Sequence, residues 1–400
     1  MNKQGKNMCN TYPIISFIVA VYNNEKYLSC AVRSVLDTKT DRIDSIELII
    51  VDDGSTDDTP YIADQLAEED SRITVIHQSN QWIYASFNNG IRAAKGEYIY
   101  ILNSDDVLVE GAIQKLIDAV EKYNRPDVIW TKVLFREVDN EQNTLSERDM
   151  DEMVFEDEYI DQIEMIHDRW LFVQESNLAV NQANLYKREL ALKYPFRNDI
   201  YAADSFFNLG IADHIKSMAI LKDAVYVYMA YSTPGMNASL GKYYGYEHRM
   251  FQEKMMKEIN LYKAWGCLDR YLEHVVNKRL REVTFEIMIL SYSNCRLSFN
   301  EKLNKIFGEI ADRTVRKYAR MVGREREYES RILNGTKELV EKNGSLTAIP
   351  NHIRALLSYL PEDYRSNVDE EKIDYDLVNA AVYADFNKDN IGKIYYSQKW

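Results

Sequence analysis

Short apolar runs alternate with segments of helical periodicity over roughly the first 130 residues, and this alternation constrains the fold more than any other feature of the chain. The apolar runs predict strands at 14–21, 47–51, 73–77, 97–102 and 128–132. Helical patterns lie between them at 28–36, from Thr59 onward, at 84–94 and from 113 onward. Strands that alternate with helices predict an α/β fold, with a mostly parallel sheet flanked by helices.

The pattern becomes less regular beyond residue 140. Residues 140–175 are rich in Asp and Glu and weakly periodic, and we interpret them as an insertion before a strand near 178–181. The segment 232–241 contains Pro and Gly and is predicted to be a flexible loop at a domain boundary. From residue 246 onward apolar residues recur at helical spacing, which predicts a smaller, mainly helical C-terminal domain. A predicted helix and a predicted strand lie before the loop, at 201–214 and 224–231.

The charge of the chain limits its partners. The formal net charge is −14, and a chain this acidic is not expected to bind nucleic acid through the phosphates. An acidic protein that binds a nucleotide diphosphate also needs a cation, because carboxylates and phosphates repel each other.

The cysteines and the N-terminus bear on the compartment. The four cysteines contain no CxxC pair, which argues against a disulfide scaffold or a zinc site and fits a reducing compartment. The first apolar run is too short to span a bilayer, and it lacks the layout of a signal peptide. We therefore expect a cytoplasmic protein, with a position at the inner face of the membrane as the alternative.

Polar clusters follow three of the predicted strands, at the point where each strand ends. In this architecture ligands bind beyond the carboxyl ends of the strands, so the three clusters are expected to converge on one crevice. They are Val21-Tyr22-Asn23-Asn24-Glu25, Asp52-Asp53-Gly54-Ser55-Thr56-Asp57 and Asn103-Ser104-Asp105-Asp106.

The last two clusters, with Ala94-Lys95-Gly96-Glu97-Tyr98-Ile99 between them, resemble the family 2 glycosyltransferases in order and spacing over residues 13–231. The resemblance implies a GT-A fold, a nucleotide-sugar donor (a UDP-sugar by family habit), Mg or Mn as cofactor, and inversion at the anomeric carbon. It divides the chain into a flexible N-terminus at 1–12, a GT-A catalytic domain at 13–240 and the helical domain at 246–400.

The resemblance also assigns roles to individual residues. Asp53 would accept an N–H group of a uracil-like base, whereas Asp52 is interpreted as a cap of the turn through Gly54, a role open to both residues. Asp105 matches the last Asp of the family's DxD motif and would hold the metal, while Asn103 replaces the first Asp and brings no charge. The residues expected to contact the donor are Val21, Tyr22, Glu25, Asp53, Asn80, Asn103 and Ser104.

Inversion needs a general base that removes the proton of the acceptor hydroxyl as it attacks. By resemblance this base is Asp204, at a predicted helix start, and Asp199 is the reserve candidate. An Asp in this position also serves as an ordinary helix cap, which is the alternative interpretation.

The segment from Asn80 to Gly90 departs from the family at two positions. The family often has Gly at position 82 and Arg at position 87, where this chain has Trp82 and Phe87. A contact from Arg to the donor nucleotide is therefore not expected here. Trp82 and Tyr84 either line the donor pocket by stacking, or Trp82 packs beneath the sheet.

These features predict an enzyme that moves a sugar from a nucleotide-diphosphate sugar to a glycan or lipid-linked acceptor in the synthesis of a cell-surface polysaccharide. The alternative is a catalytically weak relative that acts as a binding or scaffolding subunit. A dinucleotide-dependent oxidoreductase is excluded because no GxGxxG follows the first strand, and the Gly-rich loop of a nucleotidyltransferase is also missing from the sequence.

A basic stripe in the C-terminal region has two interpretations. Its members recur at helical spacing and would dock on an anionic membrane surface. The alternative is a solvated helix face, or a face paired with nearby acidic residues or with an acidic partner subunit, and most charge runs face solvent. The stripe consists of Arg313, Arg316, Lys317, Arg320 and Arg324.

Overall fold

The computed structural model describes residues 13–38, 40, 42–139, 143–150, 153–176, 178–231 and 242–342. The chain divides into two compact units between residues 238 and 239. The N-terminal segment 1–12 and the predicted loop 232–241 lie outside the described residues. The domain bounds inferred above therefore stay a prediction.

The first unit is built on one mixed sheet. Its strands are β1 Ile15–Val21, β2 Ile46–Asp52, β3 Ile73–His77, β4 Tyr98–Ile101, β5 Val107–Leu108, β6 Val128–Val138, β7 Thr144–Asp149, β8 Glu158–Ile160, β9 Leu185–Lys187 and β10 Met218–Tyr231. Their order in the sheet is β3-β2-β1-β4-β9-β6-β10-β5. In addition, β7 pairs with β6, and β8 pairs with β10. Strands β3, β2, β1 and β4 are parallel neighbours, as are β6 and β10. The expected α/β class with a mostly parallel sheet is confirmed.

The helices of this unit cover the sheet. They are α1 Leu28–Leu36, α2 Thr59–Glu69, α3 Ile83–Ala93, α4 Ala112–Lys122, α5 Ile163–Glu175, α6 Arg188–Lys193 and α7 Ala203–Ala212. Strands β1 and β2 are buried along their whole length, which explains why their sequences are nearly continuous apolar runs. A Cβ atom at Gly90 in α3 would lie 2.5 Å from Ile18 Cγ2, so the close contact between α3 and β1 requires glycine.

The structure differs from the sequence prediction in the region that follows β6. The strand predicted near 178–181 is wrong, since these residues form no strand and the next strand is β9, which runs antiparallel to β4 and β6. Side chains hold the segment 178–184 instead: Asn184 donates to the carbonyls of Leu178 and Val180, and Asn208 in α7 donates to that of Ala179. The region interpreted as an insertion contains β7, β8 and α5.

The second unit is helical, as expected. Its helices are α8 Glu247–Ala264, α9 Leu268–Ile289, α10 Phe299–Lys305, α11 Arg313–Met321 and α12 Glu325–Lys342, with a short π-helix at Ile306–Ile310. Within the described ranges, no helix is both long enough and apolar enough to span a bilayer.

The basic stripe of α11 faces acidic partners within its own unit. Arg316 is buried, and its guanidinium lies 2.8 Å from Glu325 and 2.7 Å from Glu329. Arg320 also pairs with Glu325. Arg324 pairs with Glu273 and Glu327. These ion pairs favour the pairing alternative over a stripe that is free for a membrane surface.

Candidate active site

The loops after β1 and β2 are joined by side-chain hydrogen bonds. The backbone amide of Asn23 donates to Ser55 Oγ at 2.9 Å, and the amide of Thr56 donates back to Asn23 Oδ1 at 2.7 Å. Glu25 accepts from the backbone amide of Asp58 at 2.8 Å. The carboxylate of Glu25, predicted to contact the donor, is thus used to hold the neighbouring loop.

A third loop is attached to these two through Asn24. Its side-chain amide donates to Ser104 Oγ at 2.7 Å, and its backbone amide donates to Thr59 Oγ1 at 2.8 Å. Ser104 is buried in the loop after β4. The three polar clusters predicted to converge therefore do meet at one edge of the sheet.

Asp53 lies at the floor of this edge. It is only 3% exposed, and its backbone amide donates to the carbonyl of Val21 at 2.8 Å. Its Oδ1 atom accepts from Gln78 Nε2 at 2.7 Å and from the backbone amide of Gln81 at 2.8 Å. No other described residue donates to Oδ2, so this carboxylate has one oxygen fixed by the protein and one available to a ligand.

Asp52 has the structural role expected of it. Its Oδ1 atom accepts from the backbone amide of Ser55 at 3.0 Å, which closes the turn through Gly54. Its Oδ2 atom lies 2.9 Å from His77 Nδ1. The hydrogen bonds of His77 to Asp52 and then to Asp64 raise the pKa of this histidine above its ordinary value.

Gly54 allows the loop after β3 to approach the loop after β2. Its φ angle is +76°, in the left-handed region that favours glycine. A Cβ atom here would also lie 2.9 Å from the backbone nitrogen of Asn80. Asn80 itself is exposed beside this contact, in the position from which a donor contact was predicted.

Asp106 organises the loop after β4, and the sequence analysis did not assign it a role. This residue is 1% exposed, and it accepts hydrogen bonds from the hydroxyl of Tyr226 and from the backbone amide of Met229. Asn103 Nδ2 donates to it at 2.9 Å. Burial, and then the charge of the adjacent Asp105, raise the pKa of Asp106 to about 7. No local sequence signal marks this role, because its partners in β10 are distant in the chain.

Asn103 has both ends of its side-chain amide engaged. While its nitrogen donates to Asp106, its oxygen accepts from Gln182 Nε2 at 3.3 Å. This arrangement attaches the loop after β4 to the segment 178–184. The neutral residue at the first position of the motif therefore serves the internal structure of the loop.

Asp105 is the metal ligand implied by the resemblance. The hydroxyl of Tyr231 donates to its backbone carbonyl at 2.8 Å, whereas its carboxylate forms no hydrogen bond or ion pair with another described residue. Burial raises the pKa of this carboxyl group. A half-buried carboxylate without a counter-charge fits a cation ligand, because a cation would compensate the desolvation.

The described residues offer few further ligands. No group of three or more His, Cys, Asp and Glu side chains in these ranges is arranged to hold an ion. The oxygens of Asp106 are occupied, and so is one oxygen of Asp53. The set fits Mg or Mn only when the phosphates of a donor complete the coordination, which is a usual arrangement for Mg.

The two departures at positions 82 and 87 have different structural consequences. Phe87 is 1% exposed and lies among Tyr84 and Phe196 in an aromatic cluster. Tyr84 is also buried, and its hydroxyl donates to the carbonyl of Tyr201 at 2.6 Å. Phe87 and Tyr84 are thus core residues, and the suggestion that Tyr84 lines a donor pocket is wrong.

Trp82 differs from both, because its side chain is at the surface. It is 41% exposed, so the alternative that it packs beneath the sheet is wrong. Its φ of 79° and ψ of 157° place a non-glycine residue in a region that costs about 1–3 kcal/mol. Glycine, the residue that the resemblance implies here, would adopt this conformation without strain.

Asp204 lies in the first turn of α7 and is partly buried. The carbonyl of Tyr201, just before the helix, accepts from Tyr84, and Asn208 attaches α7 to the segment 178–184. Asp199, the reserve candidate, is exposed and pairs with Arg197 at 2.7 Å. The same segment 178–184 thus connects the helix of Asp204 to the loop of Asn103.

Comparison with known proteins finds a family match over part of the chain. The family model described as glycosyl transferase family 2 matches residues 16–182. The uncharacterized glycosyltransferase EpsJ of Bacillus subtilis (strain 168) is 27% identical over 315 residues, which are 71% of this chain and 85% of EpsJ. Glycosyltransferase GlyG of Streptococcus pneumoniae serotype 4 is 41% identical over 117 residues, 29% of this chain and 38% of GlyG.

Among solved structures, the chain is similar to S. aureus TarS 1–349 in complex with UDP-GlcNAc. That similarity has 17% sequence identity and a TM-score of 0.48, and it covers 96% of this chain and 93% of TarS 1–349. The family match coincides with the strands and loops that form the site. Residues 16–182 therefore match glycosyl transferase family 2, and the curated relatives support a glycosyltransferase enzyme.

Proposed function

We propose that this protein transfers a sugar from a nucleotide-diphosphate sugar to an acceptor hydroxyl, with inversion at the anomeric carbon. The observation that carries the proposal is the connection through Asn24, which gathers the loops of Asp53 and Asp105 at one edge of the sheet. Asp53 has one carboxylate oxygen that accepts no hydrogen bond from a described residue and could accept one from a base. The carboxylate of Asp105 pairs with no described cationic residue and could bind a metal ion. A donor that contains both a base and a diphosphate matches this pair.

Asp53 would select the base. A uracil ring presents one N–H group as a donor, and Asp53 Oδ2 is an acceptor that no described residue uses. The two donors to Oδ1, from Gln78 and Gln81, would hold the carboxylate in a fixed orientation. We therefore propose a UDP-sugar as the donor.

Asp105 would hold the cation together with the two phosphates of the donor. A bound Mg or Mn ion would neutralise charge on the departing diphosphate. Asp106, Tyr226 and Tyr231 hold the loop that carries this carboxylate. The remaining donor contacts would come from Tyr22, which is 51% exposed, and from the other residues predicted above.

Asp204 would act as the general base. The acceptor oxygen attacks the anomeric carbon, its proton passes to the Asp204 carboxylate, and the bond from that carbon to the diphosphate oxygen breaks. The nucleoside diphosphate leaves with the electron pair of this bond. Such a displacement inverts the configuration, and no covalent enzyme intermediate is needed.

The acceptor is proposed to be a glycan or a lipid-linked glycan in polysaccharide synthesis. A relative supports this class, since the chondroitin synthase of Escherichia coli is 34% identical over 134 residues, 34% of this chain and 19% of that protein. The proposed catalytic domain is 13–240, with 246–400 as a separate helical domain. The ion pairs that Arg316, Arg320 and Arg324 form within the helical domain argue against its contact with a membrane.

Turnover of a donor panel tests the proposal. UDP-, GDP- and dTDP-sugars are incubated with the protein and Mn, and release of the nucleoside diphosphate is measured with and without glycan acceptors. We expect turnover with a UDP-sugar, loss of turnover in Asp105→Ala, and retention in Asp118→Ala, which removes an exposed carboxylate of α4. Nucleotide binding without any turnover would instead support the binding or scaffolding alternative.

A further inference from the structure

Trp82 occupies a place next to the open carboxylate of Asp53. The residue before it, Gln81, donates its backbone amide to Asp53 Oδ1 at 2.8 Å. Trp82 therefore directly follows a residue that contacts Asp53, the residue proposed to recognise the base. Its side chain is 41% exposed, so much of it is accessible to a ligand.

The sheet topology puts a second exposed aromatic residue on the other side of Asp53. Strand β2 lies between β1 and β3 and is parallel to both. Asp53 directly follows β2, Tyr22 directly follows β1, and Trp82 belongs to the loop after β3. Tyr22 is 51% exposed. The segments that follow the two strands on either side of β2 thus each carry an exposed aromatic residue, and Asp53 follows the strand between them.

The backbone of Trp82 indicates that the indole has a use. Its φ of 79° is unfavourable for any residue with a Cβ atom, and glycine would relieve the strain. Strain of this kind persists where the surrounding structure imposes it, and it clusters at ligand-binding sites.

We propose that Trp82 is a donor-binding residue that stacks its indole ring on the nucleobase of the donor. The inference rests on the proposed function. It assigns donor binding to a position where the resemblance implies a glycine. Asp53 reads the edge of the base, whereas Trp82 covers its face. Every base has such a face, so stacking strengthens binding while the carboxylate discriminates.

The ring replaces a contact that the chain lacks. Phe87, at the position where the family often has Arg, is buried in the aromatic cluster and contributes no charge to a nucleotide. A stacking contribution from Trp82 would compensate for this loss. The ligand moiety that Trp82 recognises is therefore the base, and the phosphates are left to Asp105 and its cation.

Calorimetric titration of four proteins tests this inference. Wild type, Trp82→Gly, Trp82→Phe and the control Trp265→Phe in the second unit are titrated with UDP and Mn, and with pyrophosphate and Mn. We expect Trp82→Gly to weaken UDP binding by about tenfold, the scale of one lost base stack, and to leave pyrophosphate binding unchanged. Trp82→Phe keeps an aromatic face and should remain within about threefold of wild type.

Two further readouts separate stacking from a structural role. Trp82→Gly should raise the melting temperature of the free protein, because strain is removed, so weaker binding cannot be ascribed to unfolding. Stacking should also quench indole fluorescence in wild type and Trp265→Phe on addition of UDP, and the quench should vanish in Trp82→Phe. The indoles of Trp130 and Trp170 are fully buried and contribute a constant background.

The failures are distinguishable. Wild type that binds no nucleotide with Mn contradicts the proposed function, and the inference falls with it. Wild type that binds UDP, together with Trp82→Gly that binds it equally well, overturns only the role of Trp82. Equal losses of UDP and pyrophosphate binding in Trp82→Gly would likewise overturn it, because stacking on the base cannot act on a ligand without one.

Discussion

The side-chain amide of Asn103 donates a 2.9 Å hydrogen bond to the buried carboxylate of Asp106. Asp106 therefore needs a neutral hydrogen-bond donor at position 103. An Asp at position 103 would put a second carboxylate against the buried carboxylate of Asp106, whose pKa is already raised by burial. The DxD pattern alone predicts that a charge here leaves activity intact or tightens the metal site. The structure gives the opposite expectation.

Asn103→Asp should therefore destabilise the first unit by about 2–3 kcal/mol, since a hydrogen bond to a charged group is lost and a repulsion is added. Thermal unfolding and turnover are both expected to fall. Asn103→Ala, which removes only the hydrogen bond, is the matched control and should cost less. The double variant Asn103→Asp with Asp106→Asn should recover part of the loss, and a strictly additive result would argue against the coupling.

Asp204→Asn should preserve donor binding and reduce transfer by roughly 10²-fold or more, the usual contribution of a general base. The control is Asp213→Asn, at the opposite end of α7, which should leave both quantities unchanged. Calorimetry and a product assay on the same samples separate the two effects. Full activity of Asp204→Asn together with an inactive Asp199→Asn would exchange the roles of these two residues.

Phe87→Arg, which introduces the residue common in the family, should unfold the aromatic cluster. Removing a buried Phe costs about 3–5 kcal/mol, and an unpaired guanidinium in the same place costs more. A fall in melting temperature of about 10 °C or more is expected. Tyr61→Arg, at an aromatic residue that is 63% exposed, should change it little. A stable Phe87→Arg variant with tighter nucleotide binding would mean that position 87 faces the donor after all.

A pH-dependent contribution is expected from His248 in the second unit. Its Nδ1 atom lies 3.0 Å from Glu286 and its Nε2 atom 3.9 Å from Asp312, with the guanidinium of Arg279 also in contact. Burial lowers the pKa of His248, but the hydrogen bonds to Asp312 and Glu286 outweigh it, and the net shift is upward. The charged form is therefore stabilised by folding.

The raised folded pKa fixes the sign of the effect. The contribution of His248 is fully present below its unfolded pKa of about 6.5 and is lost as the pH rises through the folded value. His248→Gln should thus lower the unfolding free energy more at about pH 6 than at about pH 9. Urea denaturation at both pH values measures this difference. A variant whose deficit grows with pH would contradict the assigned direction.

The sequence predicts best where one physical effect dominates. Strands β1, β2 and β3 begin and end within one residue of their predicted bounds. For β1 and β2 the reason is that strands buried on both faces appear as uninterrupted apolar runs. The convergence of three loops followed from the parallel order of those strands. The hydrogen bonds from Asn24 to Ser104 and Thr59 confirm that the loops converge.

The remaining features depend on long-range contacts that local patterns do not encode. The segment 178–184 looks like a strand in composition, but hydrogen bonds from Asn184 and Asn208 determine its path. Asp106 resembles an ordinary turn residue until Tyr226, 120 residues further along the chain, is brought beside it. The positive φ of Trp82 cannot be predicted from hydrophobicity.

The hydrogen bonds through which Asn23 and Asn24 join three loops also bear on how the site opens. The amides of Ser55, Thr56 and Asp58 donate to side chains of their own or the neighbouring loop rather than to a helix or a strand. Exchange of the Thr56 and Asp58 amides with deuterated solvent then requires separation of the two loops at the edge of the sheet. A donor that binds across those loops would oppose this separation. Donor binding should therefore slow amide exchange in the loop that follows β2.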